Sequence, residues 1–446
     1  MIKSYKFHVY PTDKQEIKLN KTLDLCRNLY NKSLEERMKA YELKQMTVHE
    51  IIKKYGKDAR KMLKIRRTDN YSSQQNNLPV FKLNHLEYND VYSQVLQDVL
   101  KRLDKAYQNF YRRVKNGENP GFPRFKSKNR YDSFIYSQSG FKLLKTKNKD
   151  DSYFVELSKI GKIRMFKHRL MEGKIKMCTV KRDIDRWYVV FTNEIEKQTP
   201  EISIINKVGI DVGLKTFLTL SNGEQINSPK FLLESEKRLS KEQRRLSRKK
   251  FKQIEINDRK TNKLIKIKIP TENRKKQRIK VAKVHRTIRN QRMDFNHKTS
   301  RMIVDNYDMI VFEDLNIQNM MMNSHNIRNR NISDVAWYQL QTFTSYKAEW
   351  AGKKVIFVDA KNTSQECSNC GIIVKKDLSV RSHNCICGLS IDRDLNAAIN
   401  ILNRGMKYVP TDCGELKPME SMQKQLNETG SSVLKYGKDV TNTSLE

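Results

Sequence analysis

CICGLSIDRDLNAA, residues 385–398, joins two closely spaced cysteines to a pair of acids at the start of a helical pattern. Two further cysteines precede this stretch, so Cys367, Cys370, Cys385 and Cys387 lie within 21 residues of sequence. Two close cysteine pairs are typical of a structural zinc site, in which four thiolates surround the ion tetrahedrally. We therefore expect these four side chains to bind one structural Zn²⁺ and to brace the loop beside the acids.

The second cysteine pair is shorter than the usual Cys-x-x-Cys spacing, because only Ile386 separates its members. This departure leaves open whether the site holds zinc tightly, holds it loosely or stays metal-free. A catalytic zinc is not expected, since four thiolates leave no open coordination position. Cys26, Cys178 and Cys413 have no partner at a suggestive interval, and we expect them to be ordinary thiols.

Three acids share an unusual setting in the sequence. Asp211 lies inside the apolar, glycine-flanked run 208–213, Glu313 ends the apolar run 308–313, and Asp394 stands at a helix start. A strand-borne carboxylate faces a cavity or a cation, because burying an unpaired charge is costly. Two Mg²⁺ ions held by carboxylates can hydrolyse a phosphodiester. The acids are therefore candidate catalytic ligands of two such ions.

Plainer interpretations of the same acids remain open at this point. Glu313 or Asp314 could cap a helix or form a salt bridge. Asp392 could pair with a neighbouring arginine, or it could replace Asp394 as the inward-facing acid. The sequence alone does not decide which of the two points inward.

The charge balance indicates a polyanionic partner. The 446 residues contain 88 Lys and Arg against 50 acids, a net charge of +38, and half of this excess falls within residues 237–292. Such an excess favours nucleic acid. The candidate phosphate contacts are Arg124, Lys126, Lys283, Arg286, Arg289 and Arg292. The last four recur every third residue, which we interpret as a helix-side stripe along a duplex, although a charge run can also be a solvated face.

Other classes of protein are less compatible with the sequence. No run approaches the roughly 20 apolar residues of a membrane span, and residues 1–10 lack the apolar core of a signal peptide. We expect a cytoplasmic protein that joins the nucleoid when bound to DNA. Several aromatic side chains could stack on bases, but their spacing is also typical of a core: Tyr5, Phe7, Tyr107, Phe122, Phe125, Trp187 and Tyr188.

Hydrophobic periodicity divides the chain near residue 200. The first part predicts a strand at 3–10, helices at 14–44 and 90–114, and a β-rich region at 133–194. The second part is α/β in pattern, with strands at 208–213, 216–221, 308–313 and 354–358 and helices at 237–252, 274–292 and 337–350. Asn222-Gly223 predicts a hairpin turn after the second of these strands.

Four segments, read together, resemble the ordered motifs of the TnpB family, whose members are transposon-encoded, RNA-guided nucleases related to type V CRISPR effectors and often labelled transposases. The segments are GIDVGLK at 209–215, VFEDL at 311–315, TSQECSNCG at 363–371 and DRDLNAAIN at 392–400. The first half resembles the family more loosely, through its element order and PGFPRFK at 120–126.

The resemblance implies an α/β multidomain fold. It implies a β-barrel-like wedge domain (1–10 and 120–200) with an inserted helical recognition domain (11–119). A RuvC-like nuclease domain of RNase H type (201–364 and 390–405) follows, with a zinc-ribbon insert (365–389) and a tail (406–446) that we expect to be disordered. Asp211, Glu313 and Asp394 correspond to the family's Mg²⁺-binding acids, and Arg381 resembles a position near the nuclease site.

The implied activity is RNA-guided cleavage of double-stranded target DNA beside a short flanking motif, with one protein monomer on one guide RNA. Two alternatives remain. A binding module could load guide RNA and repress without cutting, but it predicts the loss of one or more motif acids, and their presence argues against it. A transposase, or an accessory to one, would use a recombination centre that we do not identify in the sequence.

Overall fold

The computed structural model describes residues 1–66, 70–128, 130–145, 153–196, 200, 202–213, 216–227, 229, 231–257, 264–315, 337–377 and 380–408. Two compact units divide the chain, Met1–Lys197 and Gln198–Glu446. Within the described residues, no helix is both long and apolar enough to cross a membrane.

The first unit contains five α-helices among its described residues. Thr12 begins α1 with a capping box, in which its hydroxyl accepts from the Gln15 amide and the Gln15 side chain accepts from the Thr12 amide. Short 3₁₀ turns at Gly56–Asp58 and Leu86–Asp90 connect later helices. The helices are α1 (Asp13–Lys44), α2 (Val48–Tyr55), α3 (Ala59–Ile65), α4 (Tyr71–Asn84) and α5 (Ser93–Lys115).

The β-rich part of the first unit is one antiparallel sheet in the order β2-β6-β7-β1-β5-β4-β3. Its strands are β1 (Ile2–Tyr10), β2 (Ser133–Tyr136), β3 (Phe141–Lys145), β4 (Tyr153–Leu157), β5 (Gly161–Phe166), β6 (Lys174–Asp183) and β7 (Arg186–Glu194). Strands β2 and β3 form the edges and do not pair with each other in the described residues, so the pairing is that of an open sheet rather than a closed barrel.

One hydrophobic core joins this sheet to α1 and α5. Its members include four of the aromatic residues considered for base stacking, and each is at most 7% exposed: Tyr5, Phe7, Tyr107 and Trp187. A buried ring is not available to a nucleobase, so stacking by these four is wrong and the core interpretation is right. Phe122 and Phe125 remain exposed, and Tyr188 is half-buried.

The second unit is built on a five-stranded mixed sheet in the order β10-β9-β8-β13-β14. Its strands are β8 (Lys207–Val212), β9 (Thr216–Leu220), β10 (Gln225–Asn227), β13 (Met309–Asp314) and β14 (Lys354–Asp359). Strands β8, β13 and β14 run parallel, whereas β9 and β10 are antiparallel to their neighbours. The predicted Asn222-Gly223 turn joins β9 to β10, and Gly223 adopts φ +90° there.

Helices cover both faces of this sheet. Helices α7 (Glu272–Asn306) and α8 (Trp337–Ala351) pack on the face that carries Ile310 and Phe312, whereas α9 (Arg393–Met406) packs on the face that carries Met309 and Val311. Successive side chains of a strand point to opposite faces. The alternation along β13 therefore assigns Glu313 to the α9 face.

The basic region contains an element that the periodicity did not predict. Helix α6 (Phe231–Ser247) ends before the predicted limit of 252, and β11 (Phe251–Asn257) pairs with β12 (Leu264–Pro270) in an antiparallel hairpin before α7 begins. The isoleucines of this stretch favour strand over helix, because β-branched side chains fit a pleated ribbon better. The prediction of a helix through Lys252 is therefore wrong.

The last described elements are β15 (Ser382–Asn384), β16 (Ser390–Asp392) and α9. Helix α9 continues to Met406, so the predicted tail begins slightly later than expected, and residues 409–446 lie outside the described residues. Cys413 lies outside them too.

Candidate active site and cysteine cluster

Register alone brings Asp211 and Glu313 together. Strands β8 and β13 are parallel, and they pair Gly209 with Val311 and Ile210 with Phe312. The next pair in the same register places Asp211 beside Glu313. Val208, Ile210 and Val212 face the α7 and α8 side of the core, which leaves Asp211 on the same face as Glu313. Two acids separated by 102 positions thus become neighbours at the carboxyl ends of parallel strands.

Asp394 reaches this edge because α9 lies very close to the sheet. A Cβ atom on Gly209 would be 2.2 Å from the carbonyl oxygen of Ala398, and one on Gly405 would be 2.5 Å from Val311 Cγ2. Only glycine allows backbones to approach so closely. The part of α9 around Ala398 and Leu402 therefore lies against β8, and the Asp394 charge acts on Asp211.

The structure distinguishes Asp392 from Asp394. Asp392 is the N-cap of α9, and its Oδ1 accepts from the Asp394 amide at 2.8 Å and from the Leu395 amide at 3.2 Å. The Asp394 carboxylate instead bonds Arg393 and Arg381, at 3.2 and 3.1 Å, and its side chain is 15% exposed. Asp392 is thus the capping residue of α9, whereas the Asp394 carboxylate is bound by two arginines.

Glu313 and Asp394 raise the free-energy cost of ionising Asp211. The pKa of Asp211 lies well above its usual range because its surroundings desolvate it and because Glu313 and Asp394 are nearby negative charges. Burial also raises the pKa of Glu313, although the Thr363 hydroxyl and the Arg404 guanidinium oppose that shift. A bound cation would relieve this repulsion, and carboxylates are the ligands that Mg²⁺ prefers. The donor set therefore fits a divalent metal.

Arg381 lies at the same centre as the acids. Its guanidinium is 47% exposed and donates to Asp394 Oδ2, so it lies between solvent and the acid edge of the sheet. An exposed cation at the rim of an acidic site is placed to meet a phosphate.

The four cysteines form a compact cluster. Their sulfur atoms all lie within 4.8 Å of one another, and the closest pairs join Cys367 to Cys387 at 3.6 Å and Cys370 to Cys385 at 3.5 Å. Four sulfurs tetrahedrally bound at about 2.3 Å to zinc are about 3.8 Å apart. The shorter second pair is therefore compatible with one Zn²⁺.

Each cysteine pair sits on a turn that suits metal binding. Gly371 and Gly388 have φ values of +77° and +90°, and their amides donate to the carbonyls of Cys367 and Cys385. Amide donors also lower the pKa of the Cys387 thiol to about 6, first from Leu389 and then from the Asn369 side chain. A thiolate is the ligand form for zinc.

The basic stripe on α7 is not one exposed face. Lys283 is exposed, Arg289 and Arg292 are half-buried, and Arg286 is only 9% exposed. A spacing of three residues falls 60° short of a full turn at each step, so four such positions wind halfway around a helix with 3.6 residues per turn. The proposed stripe is therefore corrected, and Lys283 is its exposed member.

The other two basic candidates lie in the first unit, and Lys126 contacts α1. Arg124 is exposed. The backbone of Lys126 is held by the Asn31 side chain, which donates to its carbonyl at 3.0 Å and accepts from its amide at 2.7 Å. This two-bond contact fixes the path of the chain from Phe125 onward.

Three polar residues that support Glu313 and its surroundings were not predicted from the sequence. Thr363 donates to Glu313 Oε1, Gln341 donates to the Glu313 carbonyl at 3.2 Å, and Asn400 donates to the Thr363 carbonyl at 2.9 Å. Thr363 and Asn400 lie inside quoted motifs, so asking why a motif needs a polar residue at a buried position could have found them. Gln341 carries no sequence signal that would have singled it out.

Three known family patterns match the chain. Residues 1–46 match the family described as "Helix-turn-helix domain", residues 190–324 match "Probable transposase" of the OrfB type, and residues 337–401 match "Cas12f1-like, TNB domain". In the structure, the first matched region is β1 followed by the long helix α1. The third region contains α8, β14, the cysteine cluster and most of α9.

Curated relatives cover nearly the whole chain. The protein named "Putative RNA-guided DNA endonuclease" from Streptomyces pristinaespiralis is 32% identical over 97% of this chain and 95% of its own length. "Putative RNA-guided DNA endonuclease InsQ" from Escherichia coli is 30% identical over 93% of this chain and 94% of its own length. "CRISPR-associated endodeoxyribonuclease Cas12f1" from Sulfoacidibacillus thermotolerans is 30% identical over 49% of this chain and 50% of its own length.

A solved structure agrees at the level of fold. The mini-RNA-guided endonuclease CRISPR-Cas_phi3 has a TM-score of 0.50 with 10% identity, covering 93% of this chain and 94% of that chain. The four ordered motifs and the near full-length relatives show which family the chain belongs to. The chain belongs to the TnpB family.

Proposed function

We propose that this protein is an RNA-guided DNA endonuclease. The observation that carries the proposal is that β8 and β13 place Asp211 and Glu313 side by side and that the Asp394 charge acts on Asp211. The near full-length relatives of this chain are named as such endonucleases. In this proposal the second unit is a RuvC-like nuclease of RNase H type, and the cysteine cluster is its inserted zinc ribbon. The first unit comprises the wedge and recognition domains, with the boundaries given from the sequence.

The acids would hold two Mg²⁺ ions, which supply an activated water and stabilise the leaving oxygen when bound. The protein's own residues perform the remaining tasks. Asp211 and Glu313 present carboxylate oxygens from adjacent rigid strands, and α9 adds Asp394 from above. Arg381 would exchange its contact with Asp394 for a phosphate of the DNA strand, which orients that strand against the acids.

Guide pairing would choose the target, and the positive charge of the chain would hold the RNA and DNA backbones. Arg124 and Lys283 are exposed candidates for such contacts. One protein monomer on one guide RNA, acting on double-stranded DNA beside a short flanking motif, is the simplest assembly that this mechanism requires.

The test is cleavage by the RNA complex purified from cells, with Mg²⁺ and a target matched to the RNA that co-purifies. We expect one discrete RNA species and Mg²⁺-dependent cuts, both strands being cleaved, and no cutting by Asp211→Ala. A wild-type complex that binds its target and never nicks it would instead support the guide-loading repressor. Random or ribosomal RNA in the purified complex would contradict guided cleavage.

A further inference from the structure

Thr363 contacts a candidate catalytic acid directly. Its side chain lies only 4% exposed between β14 and the first cysteine, and its hydroxyl donates to Glu313 Oε1. The hydroxyl has a single proton, and the carbonyl of Ala360 at 3.2 Å is the competing acceptor. A carboxylate is the stronger acceptor, so the geometry favours the bond to Glu313.

Helix α9 fixes the backbone that carries Thr363. Asn400 Nδ2 donates to the carbonyls of Thr363 at 2.9 Å and Glu366 at 2.7 Å, and Asn396 Nδ2 donates to the same Glu366 carbonyl at 2.7 Å. Both asparagines are at most 5% exposed, and their spacing of four residues places them on one side of the helix. The segment before the cysteine cluster is therefore bound to the helix that begins beside Asp394.

Glu313 is consequently held by hydrogen bonds to both its main-chain carbonyl and its side-chain carboxylate. Gln341 of α8 donates to its main-chain carbonyl, and Thr363 occupies one carboxylate oxygen and leaves the other available to a cation. Partners of this kind orient metal ligands, and losing one commonly weakens metal binding by 10-fold to 100-fold.

We propose that Thr363 is a positioning residue of the nuclease centre, which orients the Glu313 carboxylate for a divalent cation while Asn400 couples it to the helix that carries Asp394. The inference rests on the proposed function, because it assigns Glu313 a metal-binding task. It makes the loop before the cysteine cluster part of the divalent-metal site.

A double-mutant cycle tests the proposal on the full-length, zinc-loaded chain without RNA. Mn²⁺ binding is measured by electron paramagnetic resonance for wild type, Thr363→Val, Thr363→Ser and Glu313→Gln, and for Glu313→Gln combined with Thr363→Val. We expect Thr363→Val to weaken Mn²⁺ binding about tenfold. Thr363→Ser, which keeps the hydroxyl, should restore it. In the Glu313→Gln background, Thr363→Val should change little, because its effect acts through Glu313.

The same variants are then assayed as RNA complexes. Thr363→Val should raise the Mg²⁺ concentration that gives half-maximal cleavage and leave target affinity without divalent ions unchanged. The positioning role would be overturned if Thr363→Val bound Mn²⁺ as tightly as wild type does. It would also be overturned if Thr363→Val lowered Mn²⁺ affinity equally in the wild-type and Glu313→Gln backgrounds. If wild type binds Mn²⁺ with the expected coupling but never cuts DNA, the proposed function fails and the role of Thr363 stands. Absence of Mn²⁺ binding to wild type overturns both.

Discussion

The second unit contains two sets of candidate metal ligands that are built in opposite ways. The cysteine cluster takes its four sulfurs from 21 residues and gathers them all within 4.8 Å through two glycine turns. The acids come from positions 183 residues apart, depend on strand register and helix packing, and are not gathered within that distance in the described chain. The cysteine cluster is therefore formed by local turns, whereas the arrangement of the three acids depends on the fold of the whole second unit.

Removing any one of the three acids should have the greatest effect on target cleavage. Asp211→Ala, Glu313→Gln or Asp394→Asn should each lower the rate of target cleavage about a thousandfold or more. Each substitution removes a negative charge that would hold the Mg²⁺ ions, and these ions stabilise the transition state by several kcal/mol. The measurement is single-turnover cleavage by the RNA complex.

Asp392→Asn is the matched control for the acid variants. Asparagine caps helices as well as aspartate does, so this variant should cut at nearly the wild-type rate. If Asp392→Asn were inactive and Asp394→Asn active, the assignment of the two acids would be reversed.

Removing a cysteine should separate the two sites. Cys370→Ser should lower bound zinc from one ion per chain to well below one, since three thiolates and water bind more weakly. Metal analysis of the purified protein measures this, with Cys178→Ala as the control that keeps its zinc. Equal zinc in both variants would mean that the metal lies elsewhere.

Packing of α9 against β8 offers a sharper test that touches no ligand. Gly209→Val should destabilise the second unit by about 3 kcal/mol or more, because its side chain would collide with the backbone of Ala398 and Leu402. Thermal unfolding should detect this as a fall of about 6 to 12 °C. Gly121→Ala is the control, because its Cβ would be no closer than 3.5 Å to the Arg124 side chain. A stable Gly209→Val would contradict the close approach.

The smallest expected effect concerns pH. The pKa of Asp211 in the folded chain lies above its unfolded value of about 3.9, so the folded state binds the extra proton and loses stability as pH rises through the folded pKa. Without Mg²⁺, Asp211→Asn should therefore raise the melting temperature at neutral pH by about 2 to 4 °C.

Asp308→Asn should have the opposite sign. Amides of Asn206 and Ile205 hold the pKa of Asp308 below its usual value, so its charge stabilises the fold above the unfolded pKa and this contribution is lost as pH falls. Melting curves with zinc present and Mg²⁺ omitted would measure both variants. If the melting temperature fell in both variants, charge repulsion would not be the main effect of Asp211 on stability.

Much of the second unit could be predicted because its signals are local. The strands that carry Asp211 and Glu313 and the helix of α8 follow directly from short apolar runs and periodicity. The hairpin β11–β12 was not predicted, although isoleucine and lysine alternate along β12 as they do in a strand with one exposed face, so the sequence carried a signal for it. The prediction of one exposed basic stripe on α7 was wrong, because residues spaced by three do not stay on one face of a helix.

The support of the acids could not be derived from pattern alone. Thr363 and Asn400 act through hydrogen bonds between segments that are distant in sequence, and such bonds depend on how α9 lies on the sheet. Asp392 and Asp394 could not be separated either, because the N-cap role becomes visible only when the backbone of α9 is defined.

The order of these segments along the chain also governs when a nuclease can exist during protein synthesis. Asp211 leaves the ribosome 183 residues before Asp394, and at about 5 to 20 residues per second this interval lasts about 10 to 40 s. During that period a growing polypeptide holds Asp211 alone at first and at most two of the three acids once Glu313 has been made. A product that stops before α9 lacks Asp394, so under the proposed function incomplete translation would yield no active nuclease.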